Sequence, residues 1–159
     1  MAKQLNPKEA KERIGRFCAF RERSPNEVLQ KLKSWGLSDQ EGEALIAELT
    51  ELKFIDETRF ANAFCNDKFE FNSWGKQKIR AHIFAHRIPA SIVDEALARI
   101  DEDRYTNRLH ALAKTKWDKH AGEEEMKQKQ KTVNHLTAKG FELDLIWKSI
   151  ARLEKDKGH

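Results

Sequence analysis

The chain has 159 residues, of which 39% are hydrophobic and 35% are charged, with 7 glycines and 3 prolines. So few glycines and prolines argue against a sheet with many tight turns, and we expect an all-α protein. Lys and Arg outnumber Asp and Glu by 30 to 26, an excess too small to predict nucleic-acid binding by itself.

The two cysteines and the N-terminus indicate where the protein works. Cys18 and Cys65 lie far apart and form no CxxC pair, which argues against a zinc ribbon or a redox dithiol. The N-terminus has no apolar segment, and no stretch reaches the roughly 18 apolar residues that span a bilayer. We therefore expect a cytoplasmic protein with reduced cysteines.

The first repeat is predicted over residues 1–55 and contains three helices. Apolar residues at helical spacing predict the first helix from Pro7 to Arg23. A capping box at Ser24–Glu27 begins the second helix, and Gly36 ends it in a left-handed conformation. A second capping box, which starts at Ser38, opens the third helix after a very short turn.

The apolar pattern of this repeat returns twice along the chain. A shift of 51 residues places Val28, Leu32, Leu37, Ile46 and Leu49 over Ile79, Ile83, Ile88, Leu97 and Ile100. A further shift of 53 places Ile83, Ile88, Ile92, Leu97 and Ile100 over Leu136, Phe141, Leu145, Ile150 and Leu153, and brings Gly140 to the position of Gly36. These shifts predict three tandem three-helix (helix-turn-helix-like) repeats.

The boundaries of the second and third repeats follow from this alignment. We expect repeat two at residues 56–101 and repeat three at residues 102–159, together forming an elongated, curved array. The third repeat is less regular, ends in a polar tail, and is nearly all polar from 114 to 131. There we expect a long polar helix that is broken at Gly122.

Metal, cofactor and catalytic sites are not predicted. His82 and His86 have the spacing of two metal ligands on one helix, but no HExxH motif and no third ligand accompanies them. The glycines form neither a phosphate-binding loop nor a dinucleotide fingerprint, and no GxSxG motif is present. The sequence therefore predicts a binding protein that is not an enzyme.

Aromatic and basic residues alternate between Lys68 and Arg80, just before and within a predicted helix. Phe69 and Trp74 fit two interpretations, as stacking platforms for exposed bases or as core residues at a helix junction. The basic residues fit a surface that binds phosphate or an acidic protein, or simply a solvated helix face. The candidate binding residues are Arg59, Lys68, Trp74, Lys76, Lys78, Arg80 and Arg87, the last of which we place farther along the helix of Lys76.

Three passages together resemble the RecX family, and the resemblance is strongest over the first two repeats. They are residues 23–32 (RSPNEVLQKL) followed by Gly36, residues 54–61 (FIDETRFA) and residues 74–79 (WGKQKI). In the middle passage Asp56 is expected to cap a helix, and Arg59 in its first turn can pair with a neighbouring repeat. One departure is Arg87, where the family usually has glycine.

The resemblance implies a monomeric protein that binds the groove of the RecA filament on single-stranded DNA. Such a protein restrains ATP hydrolysis, strand exchange and the coprotease activity of the filament, and takes part in recombination and SOS repair. It needs no catalytic residue, and we expect only weak, non-specific binding to DNA alone. A helix-turn-helix transcriptional regulator is the alternative, because two helices joined by a tight glycine turn also outline that motif.

Overall fold

The computed structural model describes residues 5–157, and all regular secondary structure in that range is helical. The helices are α1 (Pro7–Phe20), α2 (Pro25–Ser34), α3 (Asp39–Glu51), α4 (Glu57–Asn72), α5 (Lys76–Ile83), a 3-10 turn (Phe84–His86), α6 (Ala90–Ala98), α7 (Glu102–Lys119), α8 (Glu125–Ala138) and α9 (Leu143–Lys157). None of the helices described is both long enough and apolar enough to cross a bilayer. The expected all-α class is confirmed.

Three helices begin with the same side-chain cap. Asn6, Asp56 and Asp101 precede α1, α4 and α7, and each side-chain oxygen accepts a hydrogen bond of 2.8–2.9 Å from the N–H three residues later. Such a cap satisfies an N–H that the helix leaves unpaired and contributes about 1 kcal/mol. The predicted cap at Asp56 is confirmed, and the other two recur near the start of the other predicted repeats.

The first three helices follow the sequence prediction closely. Ser24 and Ser38 both form complete capping boxes. Helix α1 ends at Phe20, three residues before the predicted end at Arg23. The Arg23 guanidinium lies 3.8 Å above the Phe17 ring and donates to the Phe17 carbonyl at 3.0 Å. This contact satisfies a carbonyl that loses its helical partner when the chain leaves α1.

A left-handed turn recurs at equivalent positions of the three repeats. Gly36, Arg87 and Gly140 have φ angles of 91°, 58° and 96°. Each N–H donates to the carbonyl three residues earlier at 3.0–3.1 Å. Buried apolar residues flank each turn: Leu32 and Leu37, Ile83 and Ile88, and Leu136 and Phe141. The repeat alignment drawn from the sequence therefore matches a repeated backbone structure.

The predicted position of Arg87 on the helix of Lys76 is wrong. Helix α5 ends at Ile83, the 3-10 turn follows, and Arg87 lies beyond both with a left-handed backbone. It therefore does not extend the row of basic residues along the helix of Lys76. The chain reverses at this position in every repeat, so Arg87 takes the conformation that glycine adopts in the other two. This conformation costs a non-glycine residue about 1–2 kcal/mol.

The break predicted in the third repeat is also present. Helix α7 ends at Lys119, α8 begins at Glu125, and Gly122 between them has a φ of 95°. Residues 114–131 therefore form parts of two helices. Gly122 can occupy the turn between them because glycine adopts a positive φ without the steric cost of a Cβ atom.

By its internal contacts the described part of the chain forms two compact units, one of the residues up to Phe64 with Ile83–Asp94 and one of Cys65–His82 with the residues from Glu95 onward. Helix α2 packs against α1 and α3 in the first unit, and α7, α8 and α9 pack against one another in the second. The first core contains Leu5, Ala10, Ile14, Cys18, Val28, Leu32, Leu37, Leu45, Leu49 and Ile55. The second predicted repeat contributes residues to both units.

Both cysteines are unpaired and buried. Burial raises the pKa of the Cys65 thiol to about 11, although the nearby Arg80 lowers it somewhat. In the unfolded chain the thiol loses its proton at a lower pH than in the fold, so this group stabilises the fold below about pH 8.5. That contribution is lost as the pH rises through the folded pKa.

We therefore expect iodoacetamide to modify Cys65 at about pH 8 only after denaturation, because neither thiolate nor access is available in the fold. The free energy of unfolding should fall between about pH 8.5 and 11 by roughly 2 kcal/mol more in wild type than in Cys65→Ala. Peptide mapping of the labelled site and urea unfolding across this pH range check both expectations. Rapid labelling of Cys65 in the native protein would contradict the first.

Candidate binding surface

Trp74 is the centre of a cluster of basic side chains in the second unit. It lies in the loop between α4 and α5 and is half-buried. The Lys68 Nζ is 5.0 Å and the Lys78 Nζ 4.7 Å from the centroid of its ring system, and the His82 ring centroid is 4.4 Å away. Each cation–π contact contributes about 0.5–1 kcal/mol. Trp74 therefore holds two lysines close together.

The end of α4 explains why Trp74 lies beside Lys68. Ser73 has a φ of 54°, a left-handed conformation that stops the helix. The N–H of Trp74 then donates to the Lys68 carbonyl at 3.1 Å, and the N–H of Ser73 donates to the Phe69 carbonyl at 3.0 Å. The bond from the left-handed Ser73 to the carbonyl four residues earlier is that of the αL motif, and the chain folds back onto the last turn of α4.

The backbone at the start of α5 contacts the backbone of the turn between α8 and α9. The N–H of Gly75 donates to the Lys139 carbonyl at 2.7 Å, and the N–H of Gln77 donates to the Gly140 carbonyl at 3.0 Å. A Cβ atom on Gly75 would lie 2.3 Å from the carbonyl carbon of Gly140. The WGK motif therefore contains glycine because two segments of backbone touch there.

Tyr105 fixes the first residue of α5. Its hydroxyl accepts a hydrogen bond from the N–H of Lys76 at 2.9 Å and donates to the Glu142 carboxylate. Its ring packs against Phe69 and Phe141 with centroids 5.7 and 5.3 Å apart, and the Lys76 Nζ lies 4.9 Å from its centroid. Burial and the Glu142 hydrogen bond raise the pKa of Tyr105, so the hydroxyl stays protonated.

Two lysines of this cluster, Lys76 and Lys78, keep their positive charge uncompensated. The nearby Glu70 carboxylate binds Arg104 at 2.6 Å and Arg108 at 3.4 Å. Lys76 and Lys78 have no carboxylate partner among residues 5–157. This surface can therefore attract phosphate groups or acidic side chains. The ion pairs of Glu70 join segments far apart in sequence, and no sequence motif indicated them.

We call Lys68, Trp74, Lys76, Lys78 and Arg80 the Trp74 cluster. Arg80 is exposed on α5 and close enough to Cys65 to lower the pKa of its thiol. The structure thus brings five of the seven candidate residues together in one compact unit. Their role in binding stays a prediction.

Arg59 and Arg87 belong to the other unit. The Nε of Arg59 donates to Glu22 at 3.0 Å, which is the expected kind of pairing between neighbouring repeats. The two side chains are 43% and 35% exposed, so the ion pair contributes less than about 1 kcal/mol. Arg87 is exposed at its left-handed turn. Neither arginine is part of the Trp74 cluster.

The predicted histidine pair has separate partners. His82 contacts Trp74, whereas the Nδ1 of His86 lies 2.9 Å from the Ser24 hydroxyl and 3.6 Å from the Glu27 carboxylate. A serine–histidine–acid triad uses opposite ring nitrogens for the serine and the acid, so this arrangement is not a nucleophilic triad. Within residues 5–157, no three His, Cys, Asp or Glu side chains are placed to hold a metal ion.

Comparison with known proteins identifies the family. Residues 56–97 match the family model described as the second three-helix domain of RecX, and residues 102–150 match the model of its third three-helix domain. Together the two matches cover more than half of the chain. The chain belongs to the RecX family. The third repeat, where the resemblance seen in the sequence is weakest, has a family model of its own.

Curated relatives support this assignment. The regulatory protein RecX of Clostridioides difficile (strain 630) is 25% identical over 91% of this chain and 68% of its own length. That of Clostridium tetani (strain Massachusetts / E88) is 30% identical over 80% of this chain, which spans only 57% of that relative. These relatives are named regulatory proteins, so the family is one of regulators.

Solved structures show that the fold is also that of RecX. The crystal structure of RecX from Lactobacillus salivarius aligns with a TM-score of 0.86 and 19% identity, over 93% of this chain and 96% of that one. A second crystal structure of regulatory protein RecX aligns with a TM-score of 0.79 and 22% identity, over 87% of this chain and 68% of that one. The RecX repeat architecture thus accounts for the recurring caps and turns described above.

Proposed function

We propose that this protein binds the RecA filament on single-stranded DNA and restrains its ATP hydrolysis, strand exchange and coprotease activity. Membership of the RecX family supports a regulatory role, and the resemblance to that family implies that RecA is the partner. The observation that carries the proposal in this chain is the Trp74 cluster, in which Lys76 and Lys78 remain uncompensated beside a half-buried indole.

Three tandem repeats suit a partner that is itself a repeating filament. Several modest contacts, made by one chain to successive RecA subunits, combine into binding that is far tighter than any single contact. Free RecA offers only one such contact at a time and is bound weakly. We propose that the protein acts as a cytoplasmic monomer and carries no catalytic site of its own.

The test is ATP hydrolysis by the cognate RecA on single-stranded DNA, with this protein added below one molecule per RecA. We expect inhibition at these substoichiometric amounts, because one filament-bound molecule affects several subunits. Unchanged hydrolysis, together with tight and sequence-specific binding to one duplex, would instead support the helix-turn-helix transcriptional regulator.

A further inference from the structure

A second basic site lies in the third predicted repeat, away from the residues that the sequence singled out. A cleft of about 410 Å³ between α7 and α8 is lined by Lys116, His120, Lys131, Asn134 and His135. None of these five side chains is apolar. We call it the α7–α8 cleft. Its lining suits an anion, since it combines ammonium groups with an amide hydrogen-bond donor.

Positive charge dominates this cleft. Lys131 forms an ion pair with Glu123, the one carboxylate bound to a lining residue within residues 5–157. Lys116 has no carboxylate partner in that range, and neither do Lys119 and Lys139 nearby. The cleft therefore carries a net positive charge.

His135 lines the same cleft as Lys116, and its surroundings disfavour the protonated ring. Burial lowers its pKa first, and the charges of Lys116, Lys139 and Lys119 lower it further. An anion in the cleft would reverse the electrostatic part of this effect, because it favours the protonated ring.

One buried atom of His120 has no partner. Its Nδ1 is held by the Glu123 carboxylate, which fixes the ring. Its Nε2 is buried and has no hydrogen-bond partner among the described residues. With its Nδ1–H donated to the carboxylate, a neutral ring has an unprotonated Nε2 that accepts but does not donate, so the ammonium groups and not His120 are the donors to an anion in the cleft.

Lys139 connects this cleft with the Trp74 cluster. Its ammonium group donates to the Asn72 carbonyl at 2.9 Å, two residues before Trp74, and its charge also acts on His135. Basic residues therefore continue from one site to the other within a single compact unit. Cations at several points of one unit match a chain of phosphates better than they match one isolated phosphate ion.

We propose that the α7–α8 cleft binds backbone phosphates of a single-stranded nucleic acid, with Lys116 and Lys131 as the principal phosphate ligands. This proposal rests on the proposed function in one respect only, namely that the nucleic acid is single-stranded. It is tested without RecA, so the two ideas fail separately. Strand binding without RecA inhibition would overturn the proposed function alone, and inhibition without strand binding would overturn the cleft alone.

The first experiment follows the imidazole resonances of isotope-labelled histidine in the wild-type protein by NMR. We expect a short oligothymidylate to shift the signals of His120 and His135 in a saturable manner. Thymidine monophosphate and inorganic phosphate, added at the same phosphate concentration, should shift them much less. Equal saturation by the mononucleotide would show a site for free phosphate and overturn the assignment to a strand. No shift with any of the three would overturn the site.

The second experiment measures the salt dependence of oligothymidylate binding. Lys116→Gln/Lys131→Gln should weaken binding about tenfold at low salt. It should also reduce the slope of log K against log salt by about 1.4, since each phosphate contact on a single strand contributes about 0.7.

Two further variants serve as controls. Lys148→Gln/Lys155→Gln removes the same charge from exposed positions on α9 and should leave affinity and slope unchanged. Lys116→Arg/Lys131→Arg keeps the charge and should retain binding. An unchanged slope in a folded Lys116→Gln/Lys131→Gln variant, or the same loss in the α9 variant, would contradict the proposal.

Discussion

Replacing Gly75 by alanine should destabilise the protein more than the same change at Gly15 or Gly122. A Cβ atom there would lie 2.3 Å from both the carbonyl carbon of Gly140 and the amide nitrogen of Phe141. These are backbone atoms that rotation of a side chain cannot move away, so the start of α5 must separate from the α8–α9 turn. We expect a loss of about 3 kcal/mol or more in the free energy of unfolding, measured by urea denaturation.

Those two glycines provide the controls for this substitution. Gly15 lies inside α1 with no atom within 4 Å of the position that a Cβ atom would take, so Gly15→Ala should stabilise the protein by about 0.5–1 kcal/mol. Gly122 has equally open surroundings but a φ of 95°, so Gly122→Ala should cost about 1–2 kcal/mol for the backbone alone. A Gly75→Ala variant no less stable than Gly122→Ala would show that the close contact is not required.

Reversing two charges of the Trp74 cluster should have the largest effect on the proposed regulation. In Lys76→Glu/Lys78→Glu, two carboxylates replace two uncompensated ammonium groups on the same helix. Like charge then opposes phosphates or acidic side chains of the partner. We expect at least about a tenfold increase in the amount needed for half-inhibition of RecA ATP hydrolysis, equivalent to about 1.4 kcal/mol. Arg80 is left unchanged because it acts on the buried Cys65 thiol.

The matched control is Lys148→Glu/Lys155→Glu, which changes the net charge equally on α9. It should inhibit like wild type, and both variants should keep the helical circular dichroism of the parent. Equal loss of inhibition in the two variants would assign the effect to net charge rather than to the Trp74 cluster. Full inhibition by Lys76→Glu/Lys78→Glu would show that the Trp74 cluster is not part of the binding surface.

Much of the fold was predictable because helix ends are encoded locally. The capping boxes at Ser24 and Ser38 need only residues three positions apart, so a short stretch of sequence contains the whole interaction. The same holds for the left-handed Gly36 and for the break at Gly122. Arg87 shows the limit of this reasoning, because its backbone is determined by the turn that its repeat must make and not by its own preference.

The candidate site was predictable only in part. Alternating aromatic and basic residues located the Trp74 cluster, since its members are close in sequence as well as in space. The α7–α8 cleft was missed because its lining residues come from two helices whose register the sequence does not show. The neutralisation of Glu70 by Arg104 and Arg108 was missed for the same reason, as the partners are 34 and 38 residues apart.

The amino-acid sequence by itself determined the helical class, the recurring apolar pattern, the helix caps and the left-handed glycine turns, all of which depend on neighbours within about one or two helical turns. Tertiary structure alone decided which charges remain uncompensated and where Gly75 meets Gly140. It also decided which lysines surround the α7–α8 cleft. These features depend on distances between segments remote in sequence, and such distances are set by the packing of side chains in the core.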